Sequence, residues 1–150
     1  MIVNSTQLLR VIQQFTRYYA RQFADLLART GLSMREMDVI LFLTNNPGHD
    51  TARDVTELRG LAKSQVSAAV DLLAERGLLR RTPDGEDRRV VHLALTETGT
   101  ALAREGRRIQ SACLEKLFSG LTPAETARFQ ELLEKVLTGA ETQLREGANT

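Results

Sequence analysis

Lys63–Gly99 reads KSQVSAAVDLLAERGLLRRTPDGEDRRVVHLALTETG, and this stretch decides the fold. Val66, Ala69, Val70 and Leu73 recur at i, i+3, i+4 and i+7, which is one apolar stripe of a helix. The opposite face carries Ser64, Ala68 and Asp71, flanked by Gln65 and Ser67. These side chains are small or polar, so the helix can approach another surface closely. Gly77 stands where a left-handed residue closes a helix. Leu78–Pro83 and Val90–Leu95 read as short strands. Between them Asp84-Gly85 gives a tight-turn signal, and Asp87, Arg88 and Arg89 load the tip with charge. Such a pair of elements suits B-form DNA, with the helix in the major groove and the arginines at the minor groove or its phosphates.

Two patterns carry a resemblance. Asp87-Arg88-Arg89 is followed after three residues by Leu93-Ala94-Leu95-Thr96 and after two more by Gly99, a D-x-R wing and a strand ending L-T-x-x-G. Lys63-Ser64-Gln65-Val66-Ser67 leads through Val70-Asp71 to Glu75-Arg76-Gly77-Leu78. Together they resemble the winged helix-turn-helix of the MarR family of bacterial transcription regulators. Outside residues 50–99 the resemblance rests on helix layout alone. It implies a mainly α fold with a small β-hairpin wing and long N- and C-terminal dimerisation helices. In that layout, residues 5–32 and 97–146 dimerise and residues 33–96 form the winged helix-turn-helix. The helix-turn-helix motif is expected at 50–73 and the wing at 78–95.

The side chains themselves indicate roles. Gln65 can pair with adenine, while Ser64 and Ser67 can bond to several bases or to the backbone. Lys63 suits a phosphate. Ala68 departs from the family, where a larger polar or basic residue is common, and its methyl can meet only a thymine methyl. Asp71 would repel phosphate and is expected to orient a nearby arginine. In relatives the arginine matching Arg89 enters the minor groove. Asp87 is expected to fix it through a local ion pair, with Arg88 a second phosphate contact. Arg59 stands where relatives place an apolar residue, leaving open whether it meets the DNA backbone or Leu58 takes over the packing role.

At 150 residues the chain is one domain's worth, with ordinary apolar (42%) and charged (26%) content for a globular protein. No apolar run is long enough to span a membrane, and MIVNSTQLLR lacks the apolar stretch of a signal peptide, so the expected location is the cytoplasm. Net charge is +1, and residues 50–95 hold eight basic and eight acidic side chains. Attraction to phosphate must therefore come from the placement of charge. The balance keeps a second reading open, a winged-helix protein-interaction module without DNA binding.

Ser33-Met34-Arg35-Glu36, Thr51-Ala52-Arg53-Asp54 and Thr122-Pro123-Ala124-Glu125 have the form of capping boxes. They predict a long helix over 5–29 followed by helices over 33–44, 51–59, 63–76, 97–119 and 122–144, with a frayed tail Glu146–Thr150. Leu8, Val11, Ile12, Phe15, Tyr18, Tyr19 and Leu26 line the first helix. Leu102, Ile109, Cys113 and Leu117 line the fifth; Phe129, Leu133, Val136 and Ala140 line the sixth. These stripes exceed what a trihelical core can cover, and pairing of two chains explains them. A two-fold dimer would present two recognition helices roughly 34 Å apart, reading a pseudo-palindrome.

Relatives bind phenolic or other aromatic acids between the dimer helices and the winged-helix body. The matching residues here are Phe15, Arg17, Tyr18, Tyr19 and Met37, for which a place in the core or dimer interface is the simpler reading. Cys113, the one cysteine, lies on an apolar stripe, and relatives that sense peroxide place theirs in the first helix, so no redox role is expected. His49 and His92 have no ligand cluster around them in sequence, and His92 is expected to point outward from its strand. No metal, cofactor or catalytic constellation is expected, and the enzyme class is set aside.

Overall fold

The computed structural model describes residues 4–147, with side chains to residue 144. Its elements are α1 (Ser5–Gln22), α2 (Ala24–Thr30), α3 (Met34–Asn45), α4 (Ala52–Arg59), α5 (Lys63–Glu75), β1 (Leu79–Pro83), β2 (Val91–Leu95), α6 (Glu97–Leu117) and α7 (Pro123–Gly147). The chain divides into two compact units, one ending at Ser111 and the other beginning at Ala112.

The core of the first unit is built by α3, α4 and α5 under the hairpin. Met37, Val39 and Ile40 of α3, Val55 of α4 and Val66, Ala69, Val70 and Leu73 of α5 are buried, joined by Leu79 of β1, Leu93 of β2 and Ala103 of α6. The stripe of α5 is the one its spacing predicts. Helix starts are fixed locally. The Ser33 N–H donates to Glu36 at 2.7 Å. Thr51 and Asp54 exchange side-chain-to-backbone bonds, each 3.1 Å, which satisfy two otherwise orphaned donors. Gly60 (φ 73°) and Gly77 (φ 68°) end α4 and α5 in the left-handed region that glycine enters without steric cost.

The single helix expected over 5–29 is instead two, broken at Phe23. The Phe23 N–H reaches back to the Ala20 carbonyl at 3.2 Å, tightening the turn without proline or glycine. The Phe23 ring is fully buried, its centroid 4.9 Å from that of Tyr19. None of α1's own residues is buried, whereas Phe23 and Leu26 enter the core.

The hairpin is antiparallel, from Leu79 opposite Leu95 to Pro83 opposite Val91. Its link is the segment 84–90, one residue longer than the strand bounds read from sequence leave. The Asp84 N–H closes the link on the Val90 carbonyl at 2.9 Å. Its carboxylate takes the N–H groups of Glu86 (3.0 Å) and Asp87 (2.9 Å), so the aspartate organises a longer loop.

In the second unit the Phe118 and Phe129 rings pack 5.6 Å apart. Thr122 and Glu125 form the third capping box. Along α7, Leu132, Val136, Leu137 and Leu144 remain exposed. The helix continues through Glu146 and Gly147, where fraying is expected from sequence; residues 148–150 lie outside the described residues. Among the described residues no helix is long and apolar enough to cross a membrane.

Candidate nucleic-acid interface

With one face of α5 packed inward, Lys63, Ser64, Gln65, Ser67, Ala68 and Asp71 are all left exposed. The helix begins after Ala62, which offers no side-chain acceptor to the first-turn N–H groups. An uncapped, exposed helix start is a ready acceptor of phosphate. Arg53, Thr56 and Glu57 of α4 face Lys63 and Ser67 across a cleft of about 410 Å³. Arg53 is held by Glu57 at 2.7 Å. Asp71 pairs with Arg81 of β1, as a residue orienting an arginine would.

At the wing tip the Asp87 carboxylate accepts three bonds from one residue, the Arg89 N–H (3.0 Å), Nε (3.1 Å) and Nη2 (3.2 Å). These bonds hold the Asp87 carboxyl below its usual range. The Arg89 side chain stays 91% exposed. A guanidinium anchored at its base and free at its surface is pre-oriented at little further entropic cost. Arg88 is exposed beside it.

The base of the wing departs from expectation. His92 does not simply point outward: its Nδ1 lies 2.8 Å from Asp50 Oδ1 and its Nε2 2.8 Å from Asp84 Oδ1. The two carboxylates bond opposite sides of one ring and do not converge on a common point.

This arrangement, an exposed polar helix face flanked by a wing with an anchored arginine, has relatives. Residues 30–90 match the MarR family. Over those residues the chain is similar to the MarR family. It is 31% identical over 88 residues to the transcriptional repressor MprA of Escherichia coli (strain K12), an overlap of 59% of this chain and 50% of that protein. The chain thus spans about half the length of that curated relative. A solved MarR transcriptional regulator from Methanosarcina mazei Go1 superposes with a TM-score of 0.76 at 20% identity, covering 90% of this chain and 96% of the other. Bordetella bronchiseptica BpsR, whose solved structure concerns regulation of its DNA binding by 6-hydroxynicotinic acid, superposes with a TM-score of 0.65 at 25% identity, covering 87% and 98%.

The first unit also holds a cavity of about 350 Å³, lined by Phe15, Thr16, Tyr19, Asp38, Leu41, Phe42, Asn45, Asn46, Arg59 and Gln110. Of the five pocket residues expected from sequence, Phe15 and Tyr19 are on this wall. Arg17, Tyr18 and Met37 are not, and Met37 is fully buried in the core. The cation at the cavity is Arg59, whose Nη2 lies 3.3 Å from Asp38 Oδ1. Arg59 is thus paired within the chain, and Leu58 is half exposed. Burial raises the Asp38 carboxyl despite its arginine partner. Gln110 donates to the Tyr19 hydroxyl at 2.8 Å and accepts from Asn45 at 3.0 Å, so the wall presents polar groups as well as rings. Cys113 is buried, and desolvation raises its thiol, away from the reactive thiolate.

Proposed function

We propose that this chain is a sequence-specific double-stranded-DNA-binding transcriptional regulator, a repressor acting in the cytoplasm as a homodimer on a pseudo-palindromic operator. The observation that carries the reading is Arg89, anchored by Asp87 and free at its surface, beside the exposed polar face of α5. In this division of labour residues 33–96 read DNA and the helices over 5–32 and 97–146 pair two chains. The pairing is supported by exposed Leu8 (53%) and Ile12 (52%) on α1 and, in the other unit, Val136 (64%) and Leu137 (56%) on α7. Isolated apolar side chains in water are ordinary; rows of them on one helix mark an interface.

The test is selection of duplexes from a random pool, followed by titration with Arg89→Ala. A directed arginine contact is worth about 1–3 kcal/mol, so the variant should bind its selected site roughly 5- to 150-fold more weakly. The even charge of residues 50–95 favours one rival, a protein-interaction module, for which no duplex would be enriched and Arg89→Ala would change nothing.

The cavity beside Tyr19 suits an aromatic carboxylic acid. Its carboxylate would compete with Asp38 for Arg59, and the raised Asp38 carboxyl makes that exchange easier because it gives up its charge more readily. Arg59 ends α4, so a ligand drawing on it would bear directly on the helix-turn-helix. That BpsR answers to 6-hydroxynicotinic acid supports this ligand class. Release of bound DNA by such acids, lost in Arg59→Ala, is the expected outcome.

A further inference from the structure

A carboxylate oxygen only accepts hydrogen bonds, and only the imidazolium form of histidine has two N–H groups to give. His92 meets a carboxylate oxygen at 2.8 Å on each ring nitrogen, so the geometry is that of a cation between two anions. Asp50 precedes α4, the first helix of the helix-turn-helix, and Asp84 opens the wing loop. We propose that His92 is the positioning residue of the wing: through Asp50 and Asp84 it ties the arginine-bearing tip to the start of the helix-turn-helix, so that tight DNA binding draws on its protonated form. This rests on the DNA-binding reading above.

The bonds form an unbroken relay. Asp50 Oδ1 and Asp84 Oδ1 hold the ring. Asp84 Oδ2 accepts the N–H groups of Glu86 and Asp87, and the Asp87 carboxylate holds Arg89 in three bonds. The backbone runs alongside, with the Leu93 N–H on the Asp50 carbonyl at 2.7 Å and a bridge between Thr51 and His92. Arg89 is thereby indexed to the frame that places α4 and α5.

Besides Asp50 and Asp84, the charged groups on the packed elements are Arg53, Asp54, Glu57 and Arg59 of α4, with His49 3.7 Å from Asp54, and Glu86, Asp87, Arg88 and Arg89 in the loop. On β1 the residue opposite is Thr82, with Arg80 on the same face. The bonds to Asp50 and Asp84 raise the His92 imidazole above 6.5, and those from His92 and the loop N–H groups lower Asp84 to about 2. When pH rises past the histidine's raised value, one ring nitrogen loses its proton and its lone pair faces a carboxylate. That contact opens and the relay is cut at the wing's base.

The experiment is anisotropy titration of a duplex selected by the wild type, from about pH 5.5 to 8.5, the range in which histidine charge changes. It uses the wild type, His92→Gln, His49→Gln, Arg89→Ala and the His92→Gln/Arg89→Ala double variant. Wild-type affinity should fall as pH rises, by at most roughly tenfold per unit for each bound chain because one proton per chain is linked. His92→Gln should be weak at low pH with a flattened profile. His49→Gln should keep the wild-type profile, and the double variant should be no weaker than Arg89→Ala alone. A His92→Gln protein matching the wild type in affinity and pH profile would overturn the inference while leaving the DNA-binding reading intact. Failure of the wild type to select any duplex would overturn that reading and this inference together. NMR titration of the two imidazoles in wild type and Asp84→Asn needs neither DNA nor the His92→Gln fold. His92 should titrate above 6.5 and fall in Asp84→Asn; titration at or below the ordinary value would also overturn the inference.

Discussion

Gly99 shows why a single residue type recurs at the end of the wing. A Cβ built there would lie 2.0 Å from the Leu78 carbonyl oxygen, which is backbone and cannot rotate away. Thr96 explains its own place in the same pattern, donating to the Gly77 carbonyl at 2.7 Å and accepting from the Gly99 N–H at 3.1 Å. Gly99→Ala should therefore cost about 3 kcal/mol or more in urea unfolding, at or beyond the upper end of overpacking. Gly106→Ala meets the Leu41 Cδ2 at 2.9 Å and the Met37 sulfur at 3.2 Å, both side-chain atoms. It should cost about 1–2 kcal/mol, because those ends can shift. The L-T-x-x-G string was legible as a pattern, but its cause, a carbonyl two elements away, was not. Likewise the sequence predicts the Asp87–Arg89 pair because its partners are two residues apart. The partners of His92 stand 42 and 8 residues away. Arg59 and Asp38 are 21 apart on different helices, and no local spacing announces them.

At the scale of elements, periodicity and capping are the readable signals because both are local. The stripe of α5 and the starts of α3, α4 and α7 follow from residues within one or two turns. Thr51→Ala removes a cap whose hydroxyl accepts the Asp54 N–H, and should lower stability by about 1 kcal/mol. The loss belongs to α4, so hydrogen exchange should rise there before it rises in α5. The break at Phe23 was not readable: nothing between Ser5 and Thr30 is a helix breaker, and the cause is the pull of one ring into a core assembled from distant segments. Asp84-Gly85 favours a tight turn locally, yet the Asp84 carboxylate is engaged by His92 and two loop N–H groups, which stabilises the longer link.

For the whole molecule, stability should depend on pH from both sides. Asp84 is lowered from 3.8 to about 2, so its contribution is present above 3.8 and lost as pH falls toward 2. His92 is raised from 6.5, so its contribution is present below 6.5 and lost as pH climbs through the raised value. The melting temperature should peak between about pH 4 and 6.5. Calorimetry of Asp84→Asn should show a weakened acid limb and His92→Gln a weakened alkaline one. The apolar rows of α1 and α7 make a further expectation. Sedimentation should give twice the 16.7 kDa of one chain, and Val136→Glu/Leu137→Glu should return the monomer mass.

The central claim is that the polar face of α5 and the wing arginine read double-stranded DNA. Its most direct test is titration of the duplex upstream of the protein's own gene, against a random duplex, across a salt series. A regulator that neutralises several phosphates loses affinity steeply and linearly in log salt while holding a preference for its site, typically 10³-fold or more. Binding to the upstream duplex no tighter than to random DNA at every salt concentration, with no duplex enriched from a random pool, would contradict that claim.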